Sequence, residues 1–520
     1  MINYRNIAAG IALAAGLCLA VPAQAADSWV KAESAHFTVY SDSPPAVTRQ
    51  FTERLEGYYY TLYQLYAAKN GDADLARPRF TTYLLRDRSD MQAVWPDIDD
   101  LVAGFYTQCE DGAAAYATYD FNVEEGGATH ITHYQDAFDA HILFHEYAHH
   151  FMFENYNVPL PAWYVEGFAE YFSTMSIHGK DIAIGQALPD RYTSLVQGRW
   201  LDYADILRGT PASSSADVLQ FYAQSWLLTH YIMTSPERLA LFGAYVDDIN
   251  SGGDPVTAFE TRFGVKVKDL PAVLQSYLSK GVPVVSFTFK TMPEAAVTVS
   301  EMPKSADKLL LWQSLLRTCD AGKVGDGLLA DIDREAAKYS QDGWAQRVDD
   351  EAQVVLGDPA KAESSVTAIA AADPKDSDAQ YLLGRLYYRK AMSDGDADPA
   401  GDMQKARTAF LNAYKLDAMF APDLYYLSRA QADLPTYPDG LAVDAAVQAS
   451  NLAPTIEEYA FYAARLLIMK ARDADAVTLL EPIASDPHNP DTAARARALI
   501  DAIKTGKTRD DILALLNGDA

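Results

Sequence analysis

The stretch that most constrains this chain is His145-Glu146-Tyr147-Ala148-His149, separated by 16 residues from Glu166 in Trp163-Tyr164-Val165-Glu166-Gly167-Phe168-Ala169-Glu170-Tyr171. On an α-helix, positions four apart are rotated by only about 40°, so His145 and His149 can each aim a ring nitrogen at one metal ion. Glu146, about 100° round the same helix, reaches water beside such an ion instead of the ion itself. His150 lies about 140° from His145 and falls off the shared face. The intervening residues contain Pro159-Leu160-Pro161, a break after which a second helix can fold back and bring Glu166 opposite the two imidazoles. Two histidines and one carboxylate leave a fourth position open, the donor set of a catalytic zinc site and not of a closed structural one. Glu170, one turn beyond Glu166, is spaced to accept the outer N–H of a ligating histidine and fix its tautomer.

The remainder of the chain limits what such a centre serves. Its 520 residues are 49% hydrophobic and 22% charged, the range of folded globular protein, and suggest about three domains at roughly 100–200 residues each. A net charge of −28 without any long basic stripe removes the electrostatic condition for nucleic-acid or anionic-membrane binding. Past residue 25 no apolar run approaches the about 18 residues that span a bilayer, so no membrane span is expected. Residues 1–25 carry Arg5, an apolar run from Ile7 to Val21, and Ala23-Gln24-Ala25, the form of a signal peptide cut after Ala25. Leu17 stands before Cys18 where a lipid-anchored protein would have a small residue, so the expected location is periplasmic or secreted, without an anchor. Cys109 and Cys319 remain in the mature chain, and their spacing leaves open whether they pair.

Periodicity divides the chain. Residues 29–40 and Arg79 to Leu85 read as strands around an amphipathic helix from Ala46 to Ala68, and Gly104 to Thr107 and Ala113 to Tyr119 as two more strands about Glu110-Asp111-Gly112. From about Asp136 to residue 280 the pattern is helical, and residues 282–300 read as a short β-rich connector. Beyond it, Ala406, Ala442 and Ala476 recur at intervals of 36 and 34, and Ala362 precedes Ala406 by 44 with a polar insert between. Leu383-Gly384 with Tyr387, then Ala406, Phe410 and Ala413, and Pro374 and Pro454, stand where a helical-hairpin repeat needs small residues, large residues and stops.

On these motifs the first half resembles the gluzincin metallopeptidases, and the combination resembles the peptidase MA-like family of exported bacterial proteins, in which such a domain precedes tetratricopeptide repeats. The resemblance implies an α+β gluzincin-like peptidase domain over 26–280, with a small mixed sheet plus helices, the connector at 281–303, and an all-α tetratricopeptide-like repeat domain over 304–520. It makes His145, His149 and Glu166 the ligands of one zinc ion per chain, Glu146 the general base and Glu170 the outer acceptor. Phe221-Tyr222-Ala223-Gln224-Ser225-Trp226 is similar to the segment in which aminopeptidase-type relatives carry an oxyanion-binding tyrosine, which assigns that role to Tyr222. The G-x-M-E-N motif of those aminopeptidases is absent, so an endopeptidase is expected. Of the other histidines, His141 precedes His145 by one turn, His130 and His133 read as surface groups, and His230 is ambiguous.

The expected function is therefore exported, zinc-dependent hydrolysis of a peptide or protein substrate, with a protein or peptide partner at the repeats. The same residues would serve a zinc hydrolase of cell-wall peptides. The alternative of a different class is a non-catalytic exported scaffold whose zinc site is vestigial or structural. Against it stands Glu146, which a structural site does not need.

Overall fold

The computed structural model describes residues 28–67, 78–96, 98, 104–118, 141–156, 158–210, 214–317, 321–454, 456–485 and 490–517. The single strand expected over 29–40 is two strands, β1 (Val30–Glu33) and β2 (Phe37–Ser41), paired antiparallel. Ser34 makes the turn: its N–H donates to the Phe37 carbonyl and its hydroxyl accepts from the Phe37 N–H, the local competition by which a serine interrupts extended chain. α1 (Pro45–Leu62) follows and continues as a π-helical turn over 63–67. β3 (Phe80–Leu85) runs parallel to β2, and β4 (Gly104–Cys109) with β5 (Gly112–Thr118) forms the expected hairpin about Glu110-Asp111.

Then come α2 (His141–Asn155) and α3 (Ala162–Ser173). The helical run expected to continue to 280 is interrupted by β6 (Ser176–His178) and β7 (Asp181–Ile184), which reverse at Gly179, whose φ is +60°. α4 (Pro189–Gln197) and α5 (Ser215–Met233) resume it. The segment read as a connector supplies strands to two sheets: β8 (Val285–Thr288) pairs with β7, and β9 (Thr298–Glu301) with β1.

Among the described residues the main sheet has the order β4-β5-β3-β2-β1-β9, and a small sheet the order β6-β7-β8. Side chains alternate along a strand, and both faces of the main sheet are covered. Phe80 and Leu84 of β3 join Phe37, Val39, Ala115 and Ala117 against Phe144, Tyr147 and Phe151 of α2. Tyr83, Leu85 and Tyr116 point the other way, into a cluster with Trp29 and with Leu310 and Leu311 of the helix Ala306–Leu316.

From there on the described residues are helical. α6 (Ser377–Ala391), α7 (Pro399–Leu416), α8 (Ala421–Arg429), α9 (Gly440–Leu452) and α10 (Glu457–Met469) each pack on the next in chain order. A Cβ at Gly384 would come within 2.5 Å of the Phe410 ring, which is why a glycine stands where α6 crosses α7. Ala406, Phe410 and Ala413 are fully buried, and the helices ending at Ala372 and Leu452 stop just before Pro374 and Pro454. The protein is thus a mixed α/β chain, a small mixed sheet followed by many helices. No described helix is long and apolar enough to cross a membrane.

Candidate metal centre

α3 is buried on every side from Trp163 to Ser173, so it runs through the core as a central helix would. Glu166 and Glu170 lie on it at 3% and 2% exposure. A buried carboxylate is costly unless a cation or donors face it. For Glu170 the cation is Arg191 of α4, whose guanidinium donates from Nη2 at 2.8 Å and from Nε at 3.1 Å. For Glu166 the facing groups are the two histidines. Its Oε2 lies 3.5 Å from His145 Nε2 and 3.6 Å from His149 Nε2, and the two nitrogens are 3.0 Å apart.

These separations test whether a metal fits. A tetrahedral zinc ion with ligands at about 2.0–2.1 Å holds them about 3.3–3.4 Å from one another, which is the spacing of the three atoms within a few tenths of an ångström. His145, His149 and Glu166 are a group that could hold a metal ion between two helices, with α2 contributing an i,i+4 pair. Glu170 Oε1 lies 3.6 Å from His145 Nδ1, longer than a hydrogen bond.

The acidic groups around His145 also favour a positive charge at this place, whether a proton or a metal ion. Burial alone would pull the His145 imidazole down, yet Glu166, Glu170 and Glu146 outweigh it and raise it to about 9. Glu166, followed by burial, Glu146 and Glu170, pushes the Tyr222 phenol up, with Arg191 opposing, so Tyr222 keeps its O–H as a donor at neutral pH. The Tyr222 ring stands edge-on to His145 at 6.2 Å between centroids, and the Arg191 guanidinium lies 5.3 Å from its face.

Tyr222 reaches this place because α5 passes very close to α3. A Cβ at Gly167 would lie 2.0 Å from Thr229 Oγ1 and 2.5 Å from the Ser225 carbonyl oxygen, so only glycine permits the crossing. His150 turns away, 3.3 Å from Glu154 and with its ring 4.6 Å from Phe80. His230 is a core histidine: fully buried, with Nδ1 2.9 Å from the Tyr277 hydroxyl, it is held down to about 4 by burial. His141 begins α2 and is half-buried. His130, His133, Cys18, Cys319 and the signal segment 1–25 lie outside the described residues. Cys109 is disulfide-bonded, to a partner outside those residues.

Arg191 escaped the sequence reading. It sits 21 residues after Glu170 with a sheet hairpin between, and an arginine near a helix start carries no spacing signal. Comparison with known protein families, curated proteins and solved structures finds no match for this chain.

Proposed function

We propose that the chain is an exported zinc metallopeptidase of the gluzincin type that hydrolyses internal bonds of a peptide or protein substrate. The observation that carries this reading is the spacing of His145 Nε2, His149 Nε2 and Glu166 Oε2, with Glu146 next to His145 on the same helix. A zinc ion bound there would supply Lewis acidity to the water and to the scissile carbonyl. The protein's own groups do the rest. Glu146 takes the proton of the attacking water and returns it to the leaving amine. Tyr222, protonated and facing the site, donates its O–H to the oxyanion that develops on the carbonyl. Glu170, gripped by Arg191, holds His145 in the tautomer that leaves Nε2 free to ligate. The helices beyond residue 304 are read as tetratricopeptide-like repeats.

The test is zinc content and hydrolysis measured together on the mature chain. One zinc per chain and cleavage of unstructured protein are expected, with His149→Ala losing the metal and Glu146→Gln keeping metal and fold but losing cleavage. A chain that binds no zinc, or a Glu146→Gln variant as active as the parent, would overturn the reading.

A further inference from the structure

One face of the helices from α6 to α10 is met by a turn of this chain's own sheet. The turn between β4 and β5 projects Glu110 and Asp111 onto α6, α8 and α10. Tyr381 and Arg385 of α6 both donate to Asp111 Oδ1, the tyrosine at 2.5 Å, and Arg385 also donates to the Tyr381 hydroxyl at 2.8 Å. On α8 the same pair recurs four residues apart. Arg429 and Tyr425 approach Glu110 Oε2 at 3.4 and 3.5 Å, and Arg429 donates to the Tyr425 hydroxyl at 2.8 Å. On α10 Tyr459 donates at 2.6 Å to the Glu110 carbonyl.

Two features mark this as a built receptor. The Tyr-x-x-x-Arg pair occurs at 381/385 and 425/429, separated by 44 residues like Ala362 and Ala406, so it stands at one place in successive helical units. The ion pair is also enclosed: side-chain exposure is 8% for Arg385 and 12% for Asp111, and the guanidinium lies 4.3 Å from the Tyr426 ring face. Breaking a contact so enclosed is costly, because losing one partner strands the other without a counter-charge.

What the receptor holds is the end of an edge strand. Among the described residues β4 pairs with β5 alone and ends the sheet. Its other end packs closely on α2, since a Cβ at Gly104 would lie 2.4 Å from Ile142 Cγ2. Midway, the Tyr106 ring lies 6.4 Å from His150. A strand fixed at both ends keeps its open edge straight beside α2. A strand released at the turn frays from there.

We infer that Asp111, Arg385 and Tyr381 are positioning residues, through which the helical array holds the β4 edge in place beside α2, the helix that carries His145 and His149. The array then acts on the sheet, and through it on α2, from within the chain. The activity part of this inference rests on the peptidase reading. An extended peptide adds to an open strand edge through main-chain hydrogen bonds, so straightness of β4 is a matter of substrate binding and enters KM.

The experiment uses the full mature chain with Asp111→Asn, which keeps shape and removes charge, and Tyr381→Phe as a milder variant should the first fail to fold. Hydrogen exchange of peptides covering 104–118 should speed by about tenfold or more, with 440–469 and the zinc content unchanged. KM for a peptide substrate should rise by about tenfold with kcat within about a factor of two. Unchanged exchange at 104–118 would overturn the clasp. Faster exchange with unchanged KM would overturn its link to the site. An inactive parent would count against the peptidase reading, and the exchange measurement would still decide the clasp.

Discussion

At the scale of single residues, the candidate site rests on charges that burial makes interdependent. Arg191 neutralises Glu170, Glu170 faces His145, and His145 shares its metal face with His149 and Glu166. Arg191→Ala should leave Glu170 buried without its cation and release His145 from a fixed orientation. Zinc affinity should fall by about 10–100-fold in a chelator competition, with Arg191→Lys in between because it keeps the charge and loses the fork. Parent-like affinity in Arg191→Ala would show that Glu170 needs no such partner. The three ligands were legible in the sequence because each relation is local: four residues on one helix, and one break between two helices. Arg191 was not, since the contact joins segments whose spacing in sequence says nothing of their distance in space.

At the scale of elements, close crossings decide what each helix can present. Gly167→Ala would drive a methyl group into Thr229 and the Ser225 carbonyl, and backbone cannot yield as a side-chain tip does. Such overpacking costs about 1–3 kcal/mol, to be read as a lowered denaturation midpoint, and should carry Tyr222 away from His145. A variant as stable as the parent would mean that α5 moves freely. In α8, Asp423 is fully buried and neither carboxylate oxygen has a hydrogen-bond partner; burial first, then Asp417 and Asp378, push it up to about 9. A carboxyl raised on folding makes the native state bind the extra proton, so its contribution falls as pH rises from about 4 to about 9. Asp423→Asn should therefore gain on the parent between pH 5 and pH 9 in urea denaturation. A difference independent of pH would sink this account. Elements were misread where one short turn outweighs periodicity: Ser34 splits the first strand, and Gly179 reverses a hairpin inside a run that reads as helix.

At the scale of the molecule, the sheet and the helical array are not separable at residue 303. Trp29, Tyr83, Leu85 and Tyr116 are covered by Leu310 and Leu311, and the turn at Glu110-Asp111 is gripped from 381 to 459. A chain ending at 303 would expose an aromatic face where a soluble monomer tolerates only a small apolar patch. It should aggregate or bind a hydrophobic dye during refolding, and a monomeric, zinc-binding product of that length would refute the coupling. In the sequence, residues 282–300 look like a connector because they are extended between two helical regions. Nothing in that stretch shows that β8 and β9 return to strands more than a hundred residues earlier.

By itself the sequence determined what depends on short periods: the two histidines on one helix face, the carboxylate across a proline-broken turn, the hairpin about Glu110-Asp111, and the recurring small residues that let Gly384 meet Phe410. Only the tertiary structure decided what depends on non-local contact. It chose Arg191 as the partner of Glu170 and brought Tyr222 to the site through a glycine crossing. It also spent the array's Tyr–Arg face on the chain's own acidic turn. The physical reason is the same in each case: a helix or strand repeat fixes direction from neighbours along the chain, whereas a buried charge takes whichever opposite charge the packed fold brings within reach.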